Sequence, residues 1–198
     1  MTNVSWPFNT PGIPDSYFRR GQVPLTKEEI RVITLSKARL GPEMTVYDIG
    51  SGTGSISIEA AKFVSPGQVF AIESNPEAQA LIEQNARLFN LSNLKLVLGQ
   101  APAVLENLPQ PDRVIIGGSG GYLSDILKIS HDILAPGGII VVNAITVETL
   151  NTSLCFGREN DYEVDAVSAN LSRLVQAGRY HIWKALNPVY IIQLVKSK

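Results

Sequence analysis

Beyond residue 43 the chain alternates short apolar runs with amphipathic stretches. The runs at 44–49, 68–73, 94–98, 113–116 and 139–143 are rich in Val, Ile and Leu and have strand length. Between them, 55–63, 76–89, 122–134 and 147–156 read as helices, and 102–105 predicts a short one. Pro76 stands at the favoured first helical position after Asn75, and Ala135-Pro136-Gly137-Gly138 predicts a tight turn before the fifth strand. This alternation predicts an α/β fold, a mostly parallel sheet with helices on both faces joined by right-handed crossovers. After residue 160 the pattern changes. Two β-rich stretches, 162–175 and 189–195, have no convincing helix between them, which predicts an antiparallel pair joined by a long irregular link.

The N-terminal part is punctuated instead. Pro7, Pro11, Pro14 and Pro24 exclude a long helix over 1–24, and Trp6, Phe8, Tyr17 and Phe18 among them predict an arm that packs down. Thr26 reads as an N-cap completed by Glu29 as a capping box, opening a helix over 27–39 with Ile30, Ile33 and Ala38 on its buried face. Gly41-Pro42 ends it. With 198 residues, the simplest organisation is a single domain over 1–198, with 1–24 as arm and 25–40 as capping helix.

Chemistry enters at 46–55. A strand ends in Gly50, Gly52 and Gly54, a helix starts at Ser55, and Glu73 closes the next strand. Glycines there let a ligand approach the main chain, and the later carboxylate is placed to bind ribose hydroxyls, so the pattern predicts an adenosine-containing cofactor. The order differs from a dinucleotide fingerprint, because Ser55 holds the place of its last glycine. Asp48 would also repel a pyrophosphate above the loop. A cationic cofactor without phosphate, S-adenosylmethionine, fits better than a nicotinamide or flavin. An ordinary strand–turn–helix without ligand is the bland alternative. Ligands in open α/β sheets bind beyond the carboxyl ends of the strands. The candidate cofactor residues are therefore Asp48, Gly50, Ser51, Gly52, Thr53, Gly54, Glu73, Ser74, Gln100, Ala101 and Gly117, with Thr26 from the capping segment.

Asp48-Ile49-Gly50-Ser51-Gly52-Thr53-Gly54 resembles the first motif of the class I methyltransferases, and Glu73 matches their ribose-binding acid. Gln100 stands where those enzymes often have an acid, but its carbonyl can accept the same hydrogen bond. More specific are Gly12-Ile13-Pro14-Asp15 with Phe18 and Arg19, the run from Pro24 to Arg31, Gly117-Gly118-Ser119-Gly120-Gly121, Val141 to Thr146 and Asn187 to Ile192. From about Pro11 onward they resemble the decarboxylating methyltransferases of the corrin pathway. The resemblance implies a Rossmann-like class I methyltransferase fold, with a seven-stranded, mostly parallel sheet and a C-terminal antiparallel strand pair. It implies S-adenosylmethionine as cofactor and methylation at carbon-15 of cobalt-precorrin-7 with loss of the ring C acetate carboxyl. A tetrapyrrole is then the small-molecule partner and a homotetramer the implied assembly.

Such a substrate carries several carboxylates and calls for basic anchors and a bare, flat slot. Arg19, Arg20, Lys27 and Arg31 are the anchor candidates, each with a solvated surface charge as its alternative. Gly118, Ser119, Gly120 and Gly121 leave few side chains where the acceptor would lie, and the helix after them offers free N–H groups to carboxylates; a flexible turn is the alternative. The candidate catalytic residues are Asn143, which either orients the reactants or caps the next helix, and His181, in the link before the last strand. No metal site is expected. Two rivals remain: a class I methyltransferase acting on tRNA or protein, and a catalytically silent S-adenosylmethionine-binding subunit.

The bulk numbers change little. Hydrophobic residues make up 44% of the chain, charged residues 18%, and the net charge is −1 with no densely basic stretch, which weighs against nucleic acid as a partner. The lone Cys155 and the absence of a signal segment or a long apolar run point to the cytoplasm and away from membranes.

Overall fold

The structure is a computed structural model that describes residues 6–8 and 10–197; residues 1–5 and 9 of the expected arm, and 198, lie outside them. Nine strands follow the order of the chain: β1 (Thr45–Ile49), β2 (Gln68–Glu73), β3 (Leu94–Leu98), β4 (Arg113–Ile116), β5 (Ile139–Ala144), β6 (Glu163–Ala169), β7 (Ser172–Ala177), β8 (Tyr180–Ala185) and β9 (Val189–Val195). Five helices lie among them: α1 (Glu28–Ala38), α2 (Ser55–Phe63), α3 (Pro76–Leu88), α4 (Leu123–Ile133) and α5 (Val147–Glu159). Seven strands form one sheet in the order β3-β2-β1-β4-β5-β9-β6. The first five are parallel; β9 runs antiparallel to both β5 and β6.

Strand alternation decides what faces where. In β1, Val46 packs with α1 and α2, whereas Tyr47 and Ile49 pack with α4 and α5. In β5, Ile139 and Val141 face the first layer and Ile140, Val142 and Ala144 the second. Both faces are covered, so central strands read as continuous apolar runs rather than alternating ones. The same parity aims two polar residues at the first layer. Asp48 accepts a hydrogen bond from Ser57 of α2, and Asn143 meets Thr34 of α1.

Three expectations change. The segment at 102–105 forms turns and no helix. The stretch expected as an irregular link is a hairpin, β7–β8, that forms its own two-stranded sheet, and only 163–169 of the earlier stretch joins β9. The expected capping box is absent. The N-cap of α1 is Lys27, with no capping bond from its own side chain; Asp15, thirteen residues upstream, accepts from the Glu28 N–H at 3.0 Å. Glu29 instead pairs with Arg173 of β7 at 2.5 Å.

The arm does pack down. Ile13 and Phe18 are buried against Ile58 of α2. Asn85 of α3 clamps the arm's backbone, accepting from the Arg19 N–H at 2.7 Å and donating to the Arg19 carbonyl at 2.9 Å.

Candidate active site

A cavity of about 520 Å³ opens at the carboxyl ends of β1, β2, β4 and β5, roofed by Val23 to Lys27 and Ile30. Its floor is main chain. Gly50 has φ +70°, and a Cβ there would stand 2.4 Å from the Gly118 carbonyl oxygen and 2.7 Å from Gly118 N and Cα. The loops after β1 and β4 therefore touch backbone to backbone, a contact that only glycine permits.

Glu73 shapes the next wall. Its carboxylate accepts from Gly52 N at 2.9 Å and from Ser74 N and Asn75 N at 2.8 Å each. Three backbone donors fix the side chain, and a carboxylate has roughly four acceptor positions, so capacity for a further donor remains beside the cavity. Gln100, after β3, closes the far end with Ala101, and a Cβ on Gly120 would come within 3.1 Å of its Nε2.

Asp48 stands behind this floor and not in it. It is 1% exposed, held by Ser57, and its second oxygen has no partner among the described residues. Burial, with a smaller push from the Glu73 charge, raises its pKa to about 6 despite the Ser57 hydrogen bond. Its expected direct contact with a cofactor is therefore replaced by a position beneath the loop. Thr53 and Gly54 likewise lie behind the floor, Thr53 1% exposed and Gly54 packed on Ile82 of α3.

Other expected site residues separate into groups. Thr26, Lys27, Gly50, Ser51, Gly52, Glu73, Ser74, Gln100, Ala101, Gly117, Gly118, Gly120 and Asn143 all line the cavity. Ser119 and Gly121 belong to the same glycine loop but stand outside the lining. Arg19 and Arg20 are exposed on the arm and are not among the lining residues. His181 is exposed on β8, where strand pairing sets it opposite Gln176, and does not reach the cavity.

Arg31 is the largest departure. Expected as a substrate anchor, it is wholly buried, bonded to Glu59 at 2.7 Å, to Asp15 at 2.9 Å, and to the carbonyls of Ile13 and Thr26. Four of its five N–H donors are committed, and the Phe18 ring covers the guanidinium at 4.8 Å. Glu59, 1% exposed, also takes the Gly12 and Ile13 N–H groups at 2.7 and 3.2 Å. Asp15 further meets Lys27 at 3.6 Å and Arg173 at 3.3 Å. Burial alone would raise the Asp15 pKa; the hydrogen bond and charge of Arg31, helped by Lys27 and Arg173, lower it. This cluster ties the arm, α1, α2 and the hairpin together beside the roof. Among the cavity's lining residues, Lys27 is the one Lys or Arg. Sequence reasoning had Asp15 only as part of a motif, with no role, and missed Glu59 and Arg173. A signal for Glu59 existed: an acid set among Ile56, Ile58, Ala60 and Ala61 on a helix buried nearly all round.

Among the described residues no group of three or more His, Cys, Asp or Glu could hold a metal ion, and no helix is long and apolar enough to cross a membrane. The donor set instead suits a neutral or cationic organic ligand: a fixed carboxylate, an amide at each end and a main-chain floor.

Comparison with known proteins agrees with this geometry. Residues 15–196 match the family described as precorrin methyltransferase domain. A probable cobalt-precorrin-6B C(15)-methyltransferase (decarboxylating) of Pyrobaculum calidifontis is 42% identical, covering 96% of this chain and 98% of its own. The cobalt-precorrin-6B C(15)-methyltransferase (decarboxylating) of Salmonella typhimurium is 38% identical over 93% and 96%. The crystal structure of a precorrin-6y C5,15-methyltransferase from Geobacter metallireducens superimposes with a TM-score of 0.89 at 39% identity, covering 93% of this chain and 97% of that one. An S-adenosylmethionine-dependent O-methyltransferase from Thermotoga maritima, 16% identical with a TM-score of 0.73 over 90% of this chain and 68% of that one, shares the fold alone, that of the class I methyltransferases. With a family match over most of its length and relatives above 30% identity at both ends of that range, the chain belongs to the precorrin methyltransferase family.

Proposed function

We propose that the chain is an S-adenosylmethionine-dependent carbon methyltransferase of cobalamin biosynthesis that methylates carbon-15 of cobalt-precorrin-7 and releases the ring C acetate carboxyl as carbon dioxide. The single observation that carries this is the end-to-end likeness to relatives bearing that C15, decarboxylating description, joined to a cavity with the fixed acid and bare floor such a ligand pair needs. Glu73 would hold the ribose hydroxyls, Gln100 and Ala101 the adenine edge, and Gly50, Gly52 and Thr26 the amino-acid end. When bound, the cofactor supplies a methyl group activated by a positively charged sulfur.

The chain's own contribution is placement and exclusion of water. The Gly117–Gly121 loop leaves a low floor on which a flat macrocycle can approach, and Lys27 offers a cation at the rim to one of its carboxylates. The helix α4 begins just beyond with no side-chain cap, so its first N–H groups remain free for another carboxylate. Arg19 and Arg20, exposed on the arm, serve as further anchors where the macrocycle extends over it. Carbon dioxide loss leaves its electron pair in the conjugated ring, so no nucleophile–base pair is required of the protein. The test offers the protein S-adenosylmethionine with cobalt-precorrin-7 and, separately, cobalt-precorrin-6B, and follows the products by mass spectrometry. Gain of a methyl with loss of carbon dioxide supports the proposal, the substrate consumed decides between the two names, and unchanged corrinoids with a folded protein refute it.

The same proposal includes self-association. Leu174 and Trp183 are cross-strand partners on the β7–β8 hairpin, and both are exposed, Trp183 to 71%. An apolar pair on a two-stranded sheet suits a second copy of the chain. Sedimentation of Trp183→Asp beside the unchanged protein tests this; identical sedimentation of the two would refute the assignment.

A further inference from the structure

Asp15 has more partners than its charge requires. Its Oδ1 accepts from the Glu28 N–H at 3.0 Å and from Arg31 at 2.9 Å, and its Oδ2 meets Arg173 at 3.3 Å and Lys27 at 3.6 Å. A carboxylate has roughly four acceptor positions, so these donors occupy it fully. They are not equally committed. Arg31 is wholly buried and also bonded to Glu59. Arg173, reaching across from β7, is held by Glu29 at 2.5 Å as well. Lys27 stands farthest away, at a distance that leaves charge attraction without a hydrogen bond, and its ammonium is in no other ion pair among the described residues.

Lys27 is also the cation that a ligand can reach. Its side chain is 37% exposed and it lines the cavity, whereas Arg31 has no exposed surface and Arg173 is not among the lining residues. Sharing Oδ2 has an electrostatic consequence. When Lys27 turns to a ligand carboxylate, Oδ2 still faces Arg173. Without Arg173, Lys27 would be the sole cation at Oδ2, and Arg31 would have to balance both Asp15 and Glu59. A largely buried carboxylate left short of positive charge is costly, so Lys27 would be drawn back to Asp15. We propose that Arg173 is a positioning residue for substrate: by holding Asp15 it leaves Lys27 free to pair with a carboxylate of the macrocycle. The proposal rests on the reading of the cavity as a corrinoid site. It gives the β7–β8 hairpin a part in a site that Arg173 does not line.

Equilibrium titration with cobalt-precorrin-7 tests this, followed by corrinoid absorption with S-adenosylhomocysteine present so that no methyl is transferred. Lys27→Met should weaken corrinoid binding roughly three- to fivefold, the range of one partly exposed ion pair. Arg173→Met should do the same from outside the cavity. In the double variant the losses should not add, because Arg173 acts through Lys27. Arg173→Lys, which keeps a cation near Asp15, should recover most of the affinity. Calorimetric affinity for S-adenosylhomocysteine should be retained throughout, which also certifies the fold. If Arg173→Met loses it, Arg173→Gln takes its place; loss in both would mean that Arg173 holds the roof as a whole and would overturn the inference. Additive losses, or corrinoid binding unchanged in either single variant, also overturn it. So does a parallel loss of S-adenosylhomocysteine in Lys27→Met, which would assign Lys27 to the cofactor's own carboxylate. If the unchanged protein binds no corrinoid, the proposed substrate falls and this inference with it. Binding without methylation would refute the proposed reaction, and the same titrations would still decide the role of Arg173.

Discussion

Replacing Arg31 with Met separates a structural ion cluster from a substrate anchor. Methionine fills most of the volume of the arginine stem, so little cavity opens; the loss is electrostatic. Glu59 is 1% exposed and would keep its hydrogen bonds from Gly12 and Ile13, but no cation would balance it. Removing one partner of a buried pair costs about 3–5 kcal/mol, because the other charge stays behind. For a chain of this length each kcal/mol corresponds to about 2–4 °C, so the melting temperature should fall by roughly 12 °C. Urea and thermal unfolding measure the loss. Adding Glu59→Gln to the Arg31→Met variant should recover about 2 kcal/mol, a coupling expected for direct partners. A loss below about 1 kcal/mol, with the effect confined to the KM for substrate, would refute the structural role and return Arg31 to the binding surface.

Three further outcomes follow from the site. Glu73→Ala should weaken S-adenosylmethionine binding by roughly ten- to a hundredfold, the worth of hydrogen bonds to a fixed carboxylate, and unaltered calorimetric affinity would count against its ribose role. Gly50→Ala sets a methyl carbon where Gly118 backbone already lies, so cofactor affinity and melting temperature should fall together; binding retained at wild-type strength would show that the floor yields. Asp48→Asn concerns pH. Burial lifts the Asp48 pKa from an ordinary 3.8 to about 6, so between these values the folded state holds a proton that the unfolded state has released, and stability falls as pH rises. Ionised Asp48 thus costs roughly 3 kcal/mol above pH 6, and the stability difference between Asp48→Asn and the unchanged protein should move in favour of the variant by that order between pH 4 and pH 7. A difference that does not change with pH would refute the assignment. Asp15 and Glu29, whose pKa values are lowered, have the opposite sign, contributing stability that is lost as pH falls through their folded values.

The sheet was legible because its chemistry is local. Apolar runs of four to six residues, separated by glycine- or proline-marked turns, placed β1 to β5 within a residue at either end. The glycine turn after β1 and the position of Glu73 at the end of β2 were legible for the same reason. What escaped were partners distant in sequence. Thr26 and Glu29 have the spacing of a capping box, yet Asp15, folded in from upstream, takes the capping role and Arg173, from far along the chain, engages Glu29. Arginine is rarely buried, so Arg31 read as a surface anchor until Glu59 and Asp15 appeared on either side of it. The hairpin escaped because most of its apolar residues, Leu174, Ile182 and Trp183 among them, cover no core within the chain and so leave no amphipathic signature.

The contact between Gly50 and Gly118 has a consequence for how this site can diversify. A pocket walled by side chains is retuned one substitution at a time, each altering a contact by a methyl group or a charge. Here the floor between the loops after β1 and β4 is peptide plane on peptide plane, so point mutation finds no side chain there to trade. New acceptor preferences would have to come from the roof around Leu25 and Ile30, from Ile145 and Val189 at the rim, or from insertions that lengthen a loop. The floor itself should persist while the walls above it drift.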